Sequence, residues 1–218
     1  MKKFAVIGAT GLVGGAVDKE LAERGHNITA FARNIDKVYQ ADNVQAVAVD
    51  VNNPDFSDKL IGFDAVVNAF NAGWQNPNIV NDLQTGHANI LSAVKRADVP
   101  YVLVVGGAGS LNVAPNLQLV DTPDFPADVY PAANVVRELL GELRTRTDIN
   151  WAFLSPAVMF AIYPVSFEKT GIYRIGQDDV LTNADGSPAD ISVADLAVAI
   201  ADDIEQKAHL HQRFTVAN

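Results

Sequence analysis

Cysteine is missing from all 218 residues. That absence excludes disulfide staples, thiolate zinc sites, iron–sulfur ligation and a cysteine nucleophile. Positive charge is scarce: 16 Lys and Arg stand against 26 Asp and Glu, for a formal net charge of −10. A surface of that sign repels phosphate backbones, so nucleic acid is not an expected partner. No apolar run reaches the roughly 18 residues of a membrane-spanning helix, so no membrane partner is expected. Behind Lys2 and Lys3 the apolar stretch lasts only to Ile7 before glycines between Gly8 and Gly15 interrupt it. No signal peptide is read, and a reducing cytoplasm is the expected setting. Disorder is excluded by content, with 49% hydrophobic and 19% charged residues.

What is present is an alternation of apolar runs and helical periods. Phe4 to Ile7 ends at Gly8, Leu12 to Arg24 carries Val13, Val17 and Leu21 at helical spacing, and Asn27 to Ala32 reads as a second strand. Together they make a β-α-β unit of about 30 residues. Further strands are predicted over 44–49, 64–69, 101–105 and 150–154, a short helix or turn over 55–60, and helices over 80–97 and 132–146. Runs such as Ala65-Val66-Val67 and Val102-Leu103-Val104-Val105 do not alternate with polar residues, as expected of strands covered on both faces. Right-handed crossovers then give an α/β, Rossmann-like, doubly wound parallel sheet. Beyond residue 156 the rhythm changes to short strand candidates at 171–175 and 214–216, turns at Asp185-Gly186 and Ser187-Pro188, and a helix over 193–207. Length predicts one domain over 1–218, with 157–190 as a small C-terminal substrate-side cap. Residues 120–131, holding three prolines and three aspartates, read as a surface loop.

The segment Gly8-Ala9-Thr10-Gly11-Leu12-Val13-Gly14 lies between the first strand and the first helix. Gly8 lets the chain leave the strand without a Cβ clash. Gly11 lets the backbone approach a pyrophosphate, and Gly14 lets the helix pack closely on the strand. The helix start then offers free N–H groups and its dipole to an anion. The spacing is G-x-x-G-x-x-G, and dinucleotide binding through Gly8, Thr10, Gly11, Leu12, Val13 and Gly14 is the expectation. The second strand ends at Arg33 with no acidic residue beside it. A guanidinium there suits a 2′-phosphate, which favours NADP over NAD. Asp50 and Val51 follow the third strand, where an adenine edge would rest. Asn68, Ala69 and Phe70 follow the fourth, and Gly106 the fifth; ligands of open α/β sheets bind at such carboxyl ends.

Specific segments carry a family resemblance: Ile7-Gly8-Ala9-Thr10-Gly11, Val105-Gly106-Gly107-Ala108-Gly109-Ser110-Leu111, Leu119 to Pro126, Trp151 to Ala157, and Gln212-Arg213-Phe214-Thr215-Val216. With these the chain resembles atypical short-chain dehydrogenases/reductases over nearly its whole length. It looks most like the NADH-flavin reductase-like (Rrf2-linked) family, and more distantly like flavin/biliverdin-IXβ reductase. The resemblance implies catalysis at Ser110, which matches the serine after the fifth strand, and raises Tyr130 as a general acid. Four residues beyond Tyr130 stands Asn134 rather than the lysine of a Y-x-x-x-K pair. The histidine that biliverdin-type relatives carry after the sixth-strand proline is also replaced, by Ala157. Carbonyl or epimerase chemistry that needs an acid–base pair is therefore disfavoured. Hydride transfer to a flavin needs mainly placement of two rings.

Pro156 stands where the superfamily places the nicotinamide wall. Met159, Phe160 and Tyr163 supply an apolar face for a flat ring, and Trp74 reaches the pocket mouth. Trp151 opens a strand and reads as core. Ser192 reads as a helix N-cap with Asp195 at the capping-box position. His26, His87, His209 and His211 are scattered and complete no metal site; His87 faces either the cleft or the core. The expected function is an NAD(P)H-dependent reductase passing hydride to a small flat conjugated acceptor, FMN, FAD or a quinone. The alternative is a catalytically silent NAD(P)-binding sensor of the NmrA-like kind. The sequence leaves the oligomeric state open.

Overall fold

A computed structural model describes residues 1–162 and 164–218. In chain order the elements are β1 (Lys3–Ile7), α1 (Leu12–Glu23), β2 (Asn27–Ala32), β3 (Val44–Ala48), β4 (Ala65–Asn68), α2 (Ile79–Arg96) and β5 (Val102–Val105). There follow β6 (Asn112–Ala114), β7 (Leu117–Gln118), α3 (Tyr130–Thr145), β8 (Trp151–Pro156), β9 (Arg174–Gly176), α4 (Val193–Gln206) and β10 (Gln212–Ala217). Short 3₁₀ turns occupy Pro54–Leu60, Ala108–Ser110 and Leu119–Asp121.

Eight strands form one sheet in the order β3-β2-β1-β4-β5-β8-β10-β9. All neighbours are parallel except β9, which runs antiparallel to β10. The period-2 alternation of a strand sends side chains to opposite faces, and here both faces are buried. Phe4, Val6, Val67, Leu103 and Leu154 join α1 and α4 on one side. Ala5, Ile7, Val66, Val104 and Phe153 meet α2 and α3 on the other. The expected doubly wound Rossmann-like sheet is thus the observed one, and it reverses strand order at β1. The crevice this opens lies between the carboxyl ends of β1 and β4.

The tail is held by specific polar contacts. Ser192 Oγ caps α4 by accepting from the Asp195 N–H at 3.0 Å. The Asp195 carboxylate does not close a capping box. It accepts from Thr170 N–H (2.9 Å), Thr170 Oγ (2.7 Å), Gly171 N–H (2.8 Å) and Asn218 Nδ2 (2.7 Å). Burial pushes this carboxyl upward, but the donors outweigh it and hold it below the ordinary carboxylate range. Residues 170–171, α4 and the final strand are therefore tied at one point.

Two segments differ from the sequence expectation. Residues 112–118 form a small antiparallel hairpin, β6 with β7, turning at Asn116 in the left-handed region; each arm is too short to show a period. The stretch 120–131 is not simply a surface loop, because Val120 is buried and its neighbours pack against the crevice. No helix among the described residues is long and apolar enough to cross a membrane.

One buried charge site is left uncompensated. Asp18 in α1 is 0% exposed, and neither carboxyl oxygen has a hydrogen-bond partner among the described residues. Burial pushes its pKa up to about 8. The folded chain then keeps this proton up to about pH 8, whereas the unfolded chain releases it near the ordinary value of about 4. Between those values folding takes up a proton, so Asp18 lowers stability progressively as pH rises, by at most about 1.4 kcal/mol per pH unit. In urea denaturation, Asp18→Asn is expected to gain on the wild type steadily from pH 5 to pH 8. Parallel stability curves over that range would remove Asp18 as the cause.

Candidate functional site

The turn out of β1 is built on two close backbone contacts. Gly8 has φ +83°, and a Cβ on it would fall 2.3 Å from the Ala69 carbonyl oxygen. A Cβ on Gly14 would fall 2.2 Å from the Gly8 carbonyl oxygen. Only glycine fits at either point. The start of α1 is thereby pressed onto the end of β1. The Gly8 and Ala9 N–H groups both donate to the Phe31 carbonyl, at 3.0 and 3.2 Å, and fix the loop against β2. Gly11 is the N-cap and supplies no side-chain acceptor, and the first turn of α1 holds no acidic residue. The N–H groups of Leu12, Val13 and Gly14 have no partner among the described residues. A bare helix start of this kind is an anion cradle.

A cleft of about 980 Å³ runs from this point along the carboxyl ends of the strands. Of the residues singled out by sequence, Gly8, Thr10, Gly11, Leu12, Val13, Arg33, Asp50, Val51, Ala69, Phe70, Gly106, Ser110, Pro156, Trp74 and Phe160 line it. Arg33 is exposed and has no carboxylate partner among the described residues. Asp50 accepts from the Asn52 N–H at 2.9 Å, which shapes the turn after β3. Trp74 is 66% exposed and stands at the mouth.

Four of the singled-out residues are not on the cleft wall. Gly14 acts from behind, through its contact with Gly8. Asn68 is fully buried: its Oδ1 accepts from the Phe70 N–H at 3.1 Å, and its Nδ2 lies 3.2 Å from Nδ1 of His87. It braces the turn after β4 from behind the cleft wall. Tyr130 is the first residue of α3 and is 41% exposed. The face that α3 turns to the cleft carries Ala132, Ala133, Val136 and Arg137 instead, so Tyr130 is not placed as a general acid. Met159 points elsewhere while its N–H donates to the Ala189 carbonyl at 3.2 Å. Tyr163 lies outside the described residues.

Other wall residues have no local sequence signal. Thr122, Asp124, Phe125, Pro126 and Val129 line the cleft from the segment read as a surface loop. Arg213 enters β10 with its side chain buried and donates from Nε to Asp178 at 2.8 Å and from Nη2 to the Ser110 carbonyl at 3.4 Å. It anchors the turn that presents Ser110. The Ser110 residue is 2% exposed, and its Oγ has no hydrogen-bond partner among the described residues. An orphaned buried hydroxyl costs about 1–3 kcal/mol, and Ser110 belongs to the cleft wall. Arg137 pairs with Asp121 at 2.7 Å and also donates to Asn134. Among the described residues no group of His, Asp and Glu side chains is placed to hold a metal ion.

The geometry agrees with comparisons to known proteins. A family model described as NAD(P)H-binding matches residues 8–204. The uncharacterized protein YwnB of Bacillus subtilis is 40% identical over 99% of this chain and 98% of its own. A crystal structure from Streptococcus pneumoniae, named "a putative NADH-flavin reductase", is 34% identical, covers both chains completely, and superposes with a TM-score of 0.87. Another, from Bacteroides thetaiotaomicron and named a "putative epimerase", is 35% identical over 99% of this chain and 96% of that one, with a TM-score of 0.89.

Gly14 offers a test of the cradle that leaves every cleft-lining side chain in place. A methyl group at Gly14 must push α1 away from Gly8. Gly14→Ala is expected to cost about 1–3 kcal/mol of stability, as overpacking does. It is also expected to weaken dinucleotide binding at least tenfold at temperatures where it stays folded, read by titration calorimetry. Unchanged affinity would show that the helix start is not the anion site.

Proposed function

Since the chain belongs to the NAD(P)H-binding family, we propose that it is a reductase drawing on NADPH, with NADH a weaker substitute, and reducing a flavin (FMN or FAD) or quinone-like acceptor. The observation that carries this reading is the orphaned Ser110 hydroxyl on the wall of the same cleft that holds the uncapped start of α1. A dinucleotide calls for both an anion cradle for its pyrophosphate and polar anchors on either side of it. The residues fit the group: Gly8 to Val13 would hold the pyrophosphate, and Asp50 and Val51 the adenine edge. Ala69, Phe70, Gly106 and Pro156 would flank the rest. When bound, the reduced nicotinamide supplies a hydride.

What the chain itself contributes is placement. Ser110 Oγ donates to a ligand oxygen or carboxamide. Phe160, Trp74 and Phe125 bring apolar surface to the open side, suited to a flat ring. Residues 157–162 supply that side, in keeping with a substrate-side role for 157–190. The position of Tyr130 and the presence of Asn134 leave the site without a Tyr–Lys pair. That weighs against the epimerase named for the Bacteroides structure and for an acceptor whose reduced form disperses its charge. The name of the Streptococcus structure points the same way. The missing pair equally suits the second reading, a sensor of the NmrA-like kind that binds the cofactor and turns nothing over.

Two measurements decide these points. NADPH oxidation by micromolar protein is expected to accelerate on adding FMN, FAD or a quinone. Tight binding with no acceleration by any of them would favour the sensor. For cofactor choice, Arg33→Ala is expected to weaken NADPH binding by about 1.5–3 kcal/mol, the scale of a charged hydrogen bond, with NADH little changed. An equal loss for both would take Arg33 away from the 2′-phosphate.

A further inference from the structure

The wall of the cleft between α2 and α3 is largely apolar, made by Phe70, Ala72, Leu83, Ala132 and Val136; Asp82 and Arg137 also line it, and the ring of His87 is set into it. This ring is 3% exposed and held on two sides. Phe70 meets it edge-on at a centroid distance of 5.4 Å. The same Phe70 ring packs on the backbone of Gly86, where a Cβ would fall 2.4 Å from it.

The hydrogen bonds determine which nitrogen carries the proton. Asn68 Oδ1 accepts from the Phe70 N–H, which orients the amide so that Nδ2 faces His87. Nδ2 can only donate, so Nδ1 of His87 must accept. In a neutral imidazole the other nitrogen is then the N–H donor. Burial pushes the pKa of the ring down to about 4, so the ring is neutral over the working range. Its Nε2–H has no protein partner among the described residues and, with the ring on the cleft wall, is left open to the cleft.

We propose that His87 is a specificity-determining residue: through Nε2–H it donates one fixed hydrogen bond to an oxygen of the bound ligand, from the α2–α3 wall opposite the start of α1. Two sources offer such an oxygen, a ribose hydroxyl of the dinucleotide and a ring carbonyl of the acceptor. The inference rests on the NAD(P)H-dependent reading above. Asn68 is a positioning residue in this arrangement, since it selects the tautomer.

The test compares wild type with His87→Leu, which removes the donor, and His87→Gln, whose side-chain amide places an N–H near the Nε2 position. NADPH affinity is measured by calorimetry without acceptor, and KM for FMN and for a quinone in steady state. A fivefold or greater loss of NADPH affinity in His87→Leu, restored by His87→Gln, assigns the oxygen to the ribose. Unchanged NADPH affinity with a fivefold or greater rise in acceptor KM, again restored by His87→Gln, assigns it to the acceptor. A folded His87→Leu that matches wild type in both measurements overturns the inference, as does a loss that His87→Gln fails to repair. Wild type that binds no dinucleotide would instead sink the cofactor reading itself.

Discussion

The contact between Gly14 and Gly8 governs the functional end of the molecule. It allows α1 to begin almost on top of the last residue of β1, so that the first helical N–H groups emerge at the crest of the sheet. A Cβ on Gly14 would fall 2.2 Å from the Gly8 carbonyl oxygen and drive helix and strand apart, and one on Gly8 would strike the Ala69 carbonyl just after β4. The consequence is electrostatic. A chain of net charge −10 would repel a pyrophosphate unless it offered a local positive site. The uncapped helix start provides one without any lysine. The first turn contains no acid to neutralise it. Arg33, at the end of the neighbouring strand, adds a cation that no carboxylate engages among the described residues, whereas Arg137 across the cleft is already committed to Asp121.

The two sides of the sheet divide the work. On the α1–α4 side, ion pairs join the helices near the amino ends of the strands: Arg24 bridges Glu20, Asp202 and Glu205, and Lys169 reaches Glu20. Tyr101 donates to Asp203 there at 2.7 Å. These contacts lie at the opposite edge from the cleft and stiffen the support beneath it. On the α2–α3 side the helices carry small and apolar residues toward the cleft, so that wall is shaped by packing and interrupted by few polar groups. The ion-pair network and the largely apolar cleft wall thus lie on different faces of the sheet.

Much of this was legible in the residues, because the signals were local. A strand covered on both faces needs a continuous apolar run, and a glycine pattern between strand and helix reports the turn chemistry directly. Residues expected at the site and found on the cleft wall, such as Arg33, Asp50 and Pro156, sit at strand ends whose position follows from the order of elements. The misplaced residues needed information that spacing does not contain. Tyr130 stands one residue from cleft-facing Val129, but the rotation of α3 sets which of its residues face inward. Met159 and Phe160 are adjacent, and the bond from Met159 to Ala189 decides that only Phe160 reaches the cleft. Residues 122–129 looked like a solvated loop by composition, yet the long-range packing of Val120 and Phe125 turns that loop into a wall. His87 was left open between cleft and core because helical spacing fits both, and only the packing of α2 sets its ring into the cleft wall.

The polar groups that face the cleft also constrain what chemistry it can support. Ser110 offers a hydroxyl, and the His87 ring stays neutral far below pH 7. Neither is a ready proton donor at neutral pH, since efficient acid catalysis calls for a group titrating near the working pH. A simple ketone taking hydride between these two groups would develop an alkoxide that neither is ready to quench. A flavin or quinone spreads the arriving charge over a conjugated system and can be protonated from water. Neutral donors are then sufficient, because they orient the ring without having to surrender a proton. The same groups would serve a protein that only binds the cofactor, so turnover, more than affinity, separates the two readings.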